Sequence, residues 1–154
     1  MKKLGFLMHQ MLPNQKTNAL SINLNEMVQK YPDIDPILFF NDIGMCNIKN
    51  EFAVMQTIEA LDYDGILIAT DEISVNMFKA CMRAKEKYFY VWDINWFYNP
   101  RPISNIKSLY LNDDVKLIAR SKSHFDIISR VFKKPEYIIQ DFNVDEIKSI
   151  IYDR

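Results

Sequence analysis

Asp93 stands between two tryptophans in the run Tyr90-Val91-Trp92-Asp93-Ile94-Asn95-Trp96. Aromatic rings beside a carboxylate can hold a sugar or a base, the rings stacking while the carboxylate takes hydrogen bonds from the polar edge. The alternative is that both tryptophans pack in the core or at an interface. His9, one of two histidines, follows an apolar run where a general base or a donor to a hydroxyl would sit. Arg120, followed by Ser121, offers a planar fork for a phosphate or carboxylate, or an ion pair with a nearby aspartate. Gln10, Asn41-Asp42, Thr70-Asp71, Asn95 and Gln140-Asp141 supply further hydrogen-bonding groups, each just after an apolar run. His124, beside Ser121 and Ser123, reads as part of a helix cap.

The elements that must position these residues are short apolar runs. Lys3 to Met8, Ile37 to Phe40, Ile66 to Ala69, Tyr88 to Trp92, Val115 to Ala119 and Tyr137 to Ile139 read as six strands. Apolar residues at helical spacing lie between most of them: Leu20, Leu24 and Met27 in one segment, Phe52, Met55 and Ile58 in a second over Glu51–Leu61, Val75 and Phe78 in a third over Ser74–Ala84. Ser123 is the expected cap of a fourth helix, and a last one runs from Asp145 to Tyr152. Pro100 to Asn112 reads as an irregular connection carrying a short strand or turn around Ser108-Leu109-Tyr110, with the prolines of Asn99-Pro100-Arg101-Pro102 ending the fourth strand. Such alternation predicts an α/β, Rossmann-like three-layer domain over residues 1–154, with a mostly parallel sheet of about six strands. In that arrangement the polar exits share one rim, where open parallel sheets bind ligands. Loops and helix caps also demand polar residues there.

Composition narrows the function classes. The chain has 154 residues and a formal charge of −1, which gives no global attraction to nucleic acid or anionic lipid, although a nucleic acid could still be an acceptor. No apolar run approaches a membrane span, and Leu4 to Met8 is too short for a signal-peptide core, so a cytoplasmic protein with Cys46 and Cys81 as free thiols is expected. Only Gly5, Gly44 and Gly65 occur, and no glycine-rich phosphate loop exists to hold a dinucleotide or ATP. Serine-hydrolase, Cys-x-x-Cys and zinc-protease motifs are missing too, so no cofactor and no metal are expected. A response-regulator receiver would carry paired acids after its first strand, where this chain has His9-Gln10.

The stretch Tyr90 to Trp96, with Leu117-Ile118-Ala119-Arg120-Ser121 and Tyr137-Ile138-Ile139-Gln140-Asp141-Phe142, resembles the amino-terminal half of GT-B-type, phage-like glycosyltransferases. Such enzymes face two Rossmann-like domains across a cleft, the first meeting the acceptor and the second the nucleotide sugar. The resemblance implies that Asp93 and His9 serve as base or contact an acceptor hydroxyl, and that Arg120 meets an anionic group. Gln10, Asp42, Thr70, Asp71, Trp92, Asn95, Trp96 and Ser121 complete the expected substrate-binding set. Only one such domain is legible, so sugar transfer would need a second glycosyltransferase chain or self-association as a homo-oligomer. The competing expectation is a non-catalytic module that uses Trp92, Trp96, Phe97 and Tyr98 as a protein interface.

Overall fold

Among the described residues seven strands form, and all pair in parallel. The computed structural model describes residues 1–44, 48–98 and 103–152; Cys46 and the segment 99–102 lie outside them. The strands are β1 (Lys2–Met11), β2 (Ile34–Ile43), β3 (Ala53–Gln56), β4 (Ile66–Ala69), β5 (Glu86–Val91), β6 (Lys116–Ala119) and β7 (Tyr137–Ile138). Their order across the sheet is β3-β2-β1-β4-β5-β6-β7. Helices α1 (Gln15–Lys30), α2 (Glu72–Asn76), α3 (Asn95–Tyr98), α4 (Ile103–Tyr110), α5 (Lys122–Val131) and α6 (Val144–Tyr152) accompany them, with 3-10 turns over Thr57–Asp62 and Met77–Lys79. This is the Rossmann-like three-layer plan.

Strand alternation builds the two outer layers. Leu4, Phe6 and Met8 of β1 point to the face covered by α1 and α6, where they meet Leu20, Leu24, Ile147 and Ile150. Leu7 points to the other face, with Val75, Phe78, Ile106 and Ile128 from α2, the following turn, α4 and α5. Strands buried on both faces read as continuous apolar runs, which is why β1, β2, β4, β5 and β6 were legible.

The second predicted helix does not form. Phe52 is buried and Val54 half-buried, while Ala53 and Met55 are exposed, so this stretch alternates with period two and adds β3 at the sheet's edge. Val54, Thr57 and Ile58 are β-branched, which weakens the helical alternative. The third predicted helix shortens to α2 and a 3-10 turn. The irregular connection proves to be helix α4, which buries Ile106 and Tyr110 four residues apart. Proline suits the first turn of a helix as well as a loop, so prolines ahead of a segment do not argue against a helix there. The cap of α5 is Ser121, two residues earlier than expected.

β1 and β2 also run further than predicted. Their register continues through Gln10↔Asp42 and Met11↔Ile43, whereas the ladder to β4 stops at Leu7↔Ala69 and that to β3 at Phe40↔Gln56. β1 and β2 thus leave the sheet as a narrow ribbon at its carboxyl rim.

Candidate functional site

The chain leaves β1 for α1 on one face and leaves β4 for α2 on the other. Such a switch point opens a crevice at the carboxyl ends of the two strands. Lys16, from the first turn of α1, reaches across it: its Nζ donates to the Thr70 carbonyl at 3.3 Å and lies 3.6 Å from Asp71 Oδ2. Lys16 was missed in the sequence, where the only signal was its place just after the Asn14 cap of α1.

Asp71 is the knot of this rim. Its Oδ2 accepts the His9 N–H at 3.0 Å, and its Oδ1 accepts the Ser74 N–H at 2.8 Å in a capping box for α2. Thr70 is buried, and its hydroxyl and N–H both donate to the Leu7 carbonyl, at 3.0 and 2.9 Å. Two residues expected to touch substrate therefore fasten β4 and α2 to β1.

Two adjoining clefts open from the crevice and share Lys16, Asp71 and Ile73. The larger, about 280 Å³, lies over the ends of β4 and β5, with Glu72 on one wall and Trp92, Asp93 and Asn95 on the other. Its floor is Trp96, Ile106 and Tyr110. The smaller, about 190 Å³, holds His9 and Gln10 with Leu12 and Asn14. Asp93 and His9 thus line neighbouring clefts rather than one. Asp93 is exposed, and its carboxylate accepts the Asn95 N–H of its own loop at 3.2 Å. His9 is half-buried, with Nδ1 3.3 Å from Asn41 Nδ2. Asp42 is exposed on the ribbon opposite Gln10 and lines neither cleft.

The two tryptophans part company. Trp96 is buried, and its indole N–H donates to the Tyr110 hydroxyl at 3.0 Å, with edge contacts to Tyr110 and Phe132. Burial pushes the Tyr110 phenol well above its ordinary pKa, so it stays protonated. Trp92 is half-exposed and held by two neighbours: the Arg120 guanidinium lies 3.8 Å from its ring centroid, and Phe142 stacks at 5.3 Å with a 12° tilt. Arg120 Nε in turn donates to Asp141 Oδ1 at 2.6 Å, the ion pair anticipated as its alternative role.

A third cleft, about 460 Å³, lies over β6 and β7 and is lined by Arg120, Ser121, Lys122, His124, Gln140 and Glu146 among others. Ser121 is mainly occupied by capping, its Oγ accepting the His124 N–H at 3.2 Å. The His124 side chain goes beyond that role. Its Nδ1 is buried without a hydrogen-bond partner, and burial, helped by Arg120, pulls its pKa below the ordinary value of 6.5 against the opposing pull of the Val91 carbonyl and Asp93. A histidine with a lowered folded-state pKa binds fewer protons than in the unfolded chain, so stability falls as pH drops from about 6.5 towards the folded value. The paired carboxylates Asp33, Asp64 and Asp145 act lower, since their folded pKa values lie below 3.8. Melting temperatures between about pH 5 and 7 should therefore fall on acidification in the parent and change less in His124→Gln; equal slopes would remove His124 as the cause.

Among the described residues no group of three or more His, Cys, Asp or Glu is placed to hold a metal ion, and no helix is long and apolar enough to cross a membrane. Cys81 is a buried free thiol. No protein-family model, no curated protein and no solved structure matches the chain.

Proposed function

We infer that the carboxyl rim binds a hydroxyl-bearing, sugar-like acceptor, and that the chain acts as the acceptor-side domain of a glycosyltransferase-like assembly. A second chain or another copy would supply the nucleotide sugar. The observation that carries this reading is the cleft over β4 and β5, where Asp93 turns a carboxylate outward beside an indole already braced by Arg120 and Phe142. Asp71, Glu72 and Asp93 outnumber Lys16 around it, an acidic balance that suits hydroxyl donors and opposes phosphates. The stacked Trp92 presents what remains of its surface without needing to be ordered on binding, which lowers the entropic cost of association.

Asp93 is the residue to change. Asp93→Asn should weaken binding of a saccharide or nucleotide sugar roughly 10- to 100-fold, the loss of one hydrogen bond to a charged group, while the melting temperature of the free protein stays put. Thermal-shift titration reads both, because a saturating ligand raises the melting temperature by mass action. No shift with any sugar or nucleotide sugar, or an undiminished shift in Asp93→Asn, would sink this reading. A lower melting temperature with binding retained would make Asp93 structural.

The interaction-module reading rests on a smaller patch than the sequence suggested. Trp96 is core and Trp92 is clamped, which leaves Phe97 and Tyr98, 51% and 71% exposed. If no ligand binds the rim, alanine at these two positions is the next comparison in a pull-down with the protein partner.

A further inference from the structure

We propose that the two clefts sharing Lys16, Asp71 and Ile73 are one composite site, which takes an acceptor of two linked sugar rings with one ring in each cleft. This rests on the reading of the rim as a saccharide site and names the class of saccharide. Size is the first observation. At about 280 and 190 Å³ each cleft falls short of the roughly 300 Å³ at which small-molecule sites usually begin, whereas the two together fall within that range.

The junction between them is firmly built. Asp71 is tied to β1 through the His9 N–H at 3.0 Å and to α2 through the Ser74 N–H at 2.8 Å, so the wall common to both clefts is already in place when a ligand arrives. Lys16 adds a donor there. Its ammonium has three protons, of which, among the described residues, the Thr70 carbonyl takes one at 3.3 Å and Asp71 draws a second at 3.6 Å. The third is left for the oxygen that links two rings. Ile73, 54% exposed, gives the same junction an apolar surface for the C–H face of a ring.

The two ends ask for different partners. In the larger cleft Asp93 offers a carboxylate, an acceptor for hydroxyl protons. In the smaller, the Asn41 amide nitrogen lies 3.3 Å from His9 Nδ1. An amide nitrogen only donates, so Nδ1 accepts, and in the neutral imidazole the proton then sits on Nε2 as a donor. Gln10 adds an amide that donates and accepts. A sugar hydroxyl also does both, so two hydroxyl-bearing rings satisfy both ends, whereas a single ring fills one cleft and leaves the other to water.

Calorimetric titration of the full chain with glucose, galactose and mannose, and with disaccharides built from them, tests this. The disaccharide that binds should do so at least about 10-fold more tightly than the monosaccharides it is built from, the gain of one or two further hydrogen bonds. His9→Ala removes the imidazole and keeps the backbone N–H that Asp71 accepts, so the fold should hold. It should bring the ratio of disaccharide to monosaccharide affinity towards one. Asp93→Asn should lower both affinities and leave that ratio near the parent's. Equal affinities for one ring and two in the parent overturn the composite site and leave the rim reading standing. A disaccharide preference that His9→Ala does not reduce overturns the placing of the second ring. If no saccharide binds, the rim reading falls and the composite site with it.

Discussion

Phe142→Ala should lower stability by about 3–5 kcal/mol, the usual cost of truncating a buried phenylalanine, or roughly 6–20 °C in melting temperature for a chain of this size. Phe142 is fully buried, stacks on Tyr90 at 4.1 Å and on Trp92 at 5.3 Å, and meets Phe6 edge-on. Its backbone is unusual. Asp141 and Phe142 have φ values of 47° and 63°, and the Asn143 N–H donates back to the Gln140 carbonyl at 2.8 Å, closing a tight turn with two left-handed residues. Neither residue is glycine, so each carries a conformational cost of the order of 1 kcal/mol. The surroundings hold the turn: the Tyr90 hydroxyl donates to the Ile139 carbonyl at 2.6 Å and accepts the Phe142 N–H at 3.4 Å, while Asn23 donates to the Asp141 carbonyl at 3.0 Å. Alanine keeps the strain and removes the stack that offsets it. Glycine removes both, so Phe142→Gly should fall within about 1 kcal/mol of Phe142→Ala despite its smaller side chain. Thermal and urea unfolding, followed by the near-ultraviolet aromatic signal, check both; a loss under 1 kcal/mol in the alanine variant would show that the stack does not hold the turn.

Asp71→Ala should cost about 2–4 kcal/mol, combining a lost helix cap with a lost charged acceptor for the His9 N–H. It should also free Lys16, whose ammonium would keep only the Thr70 carbonyl of its two partners across the crevice. Asp71→Asn should recover only part of the loss, because one amide nitrogen must then face either the His9 or the Ser74 N–H. The contrast with Asp93 is the useful one. These two rim aspartates looked alike in the sequence, yet Asp71 is expected to move the urea midpoint with little change of m-value and Asp93 to move ligand affinity alone. Should Asp71→Ala unfold at the parent's midpoint, the rim is not fastened there.

That contrast shows where the sequence is transparent. The buried strands announced themselves, because a strand covered on both faces must be apolar throughout, and polar residues after them marked the rim. β3 was missed because an edge strand buries only one face, and four residues of period two inside a run of good helix formers look helical. Helix α4 was hidden by prolines that suit a helix start as well as a loop. At the site, residue type gave candidates but not their duties. Whether an aspartate caps a helix, pairs with arginine or faces solvent depends on where its neighbours' N–H groups point. Asp71, Asp141 and Asp93 do these three things in turn. The side-by-side tryptophans hid a similar difference, since the turn of α3 sends Trp96 inward to Tyr110 while Trp92 stays on the rim.

The interior place of β1 in the sheet bears on how the chain comes to be folded. β1, which precedes the other six described strands in the chain, is gripped on one side by β2 and on the other by β4, and the bond from Thr70 back to Leu7 spans 63 residues. Until β4 emerges, a half-sheet of β3, β2 and β1 exposes the apolar β1 edge from Leu4 to Leu7. Closing so long a loop is entropically slow, so that edge is the segment most in need of protection during translation.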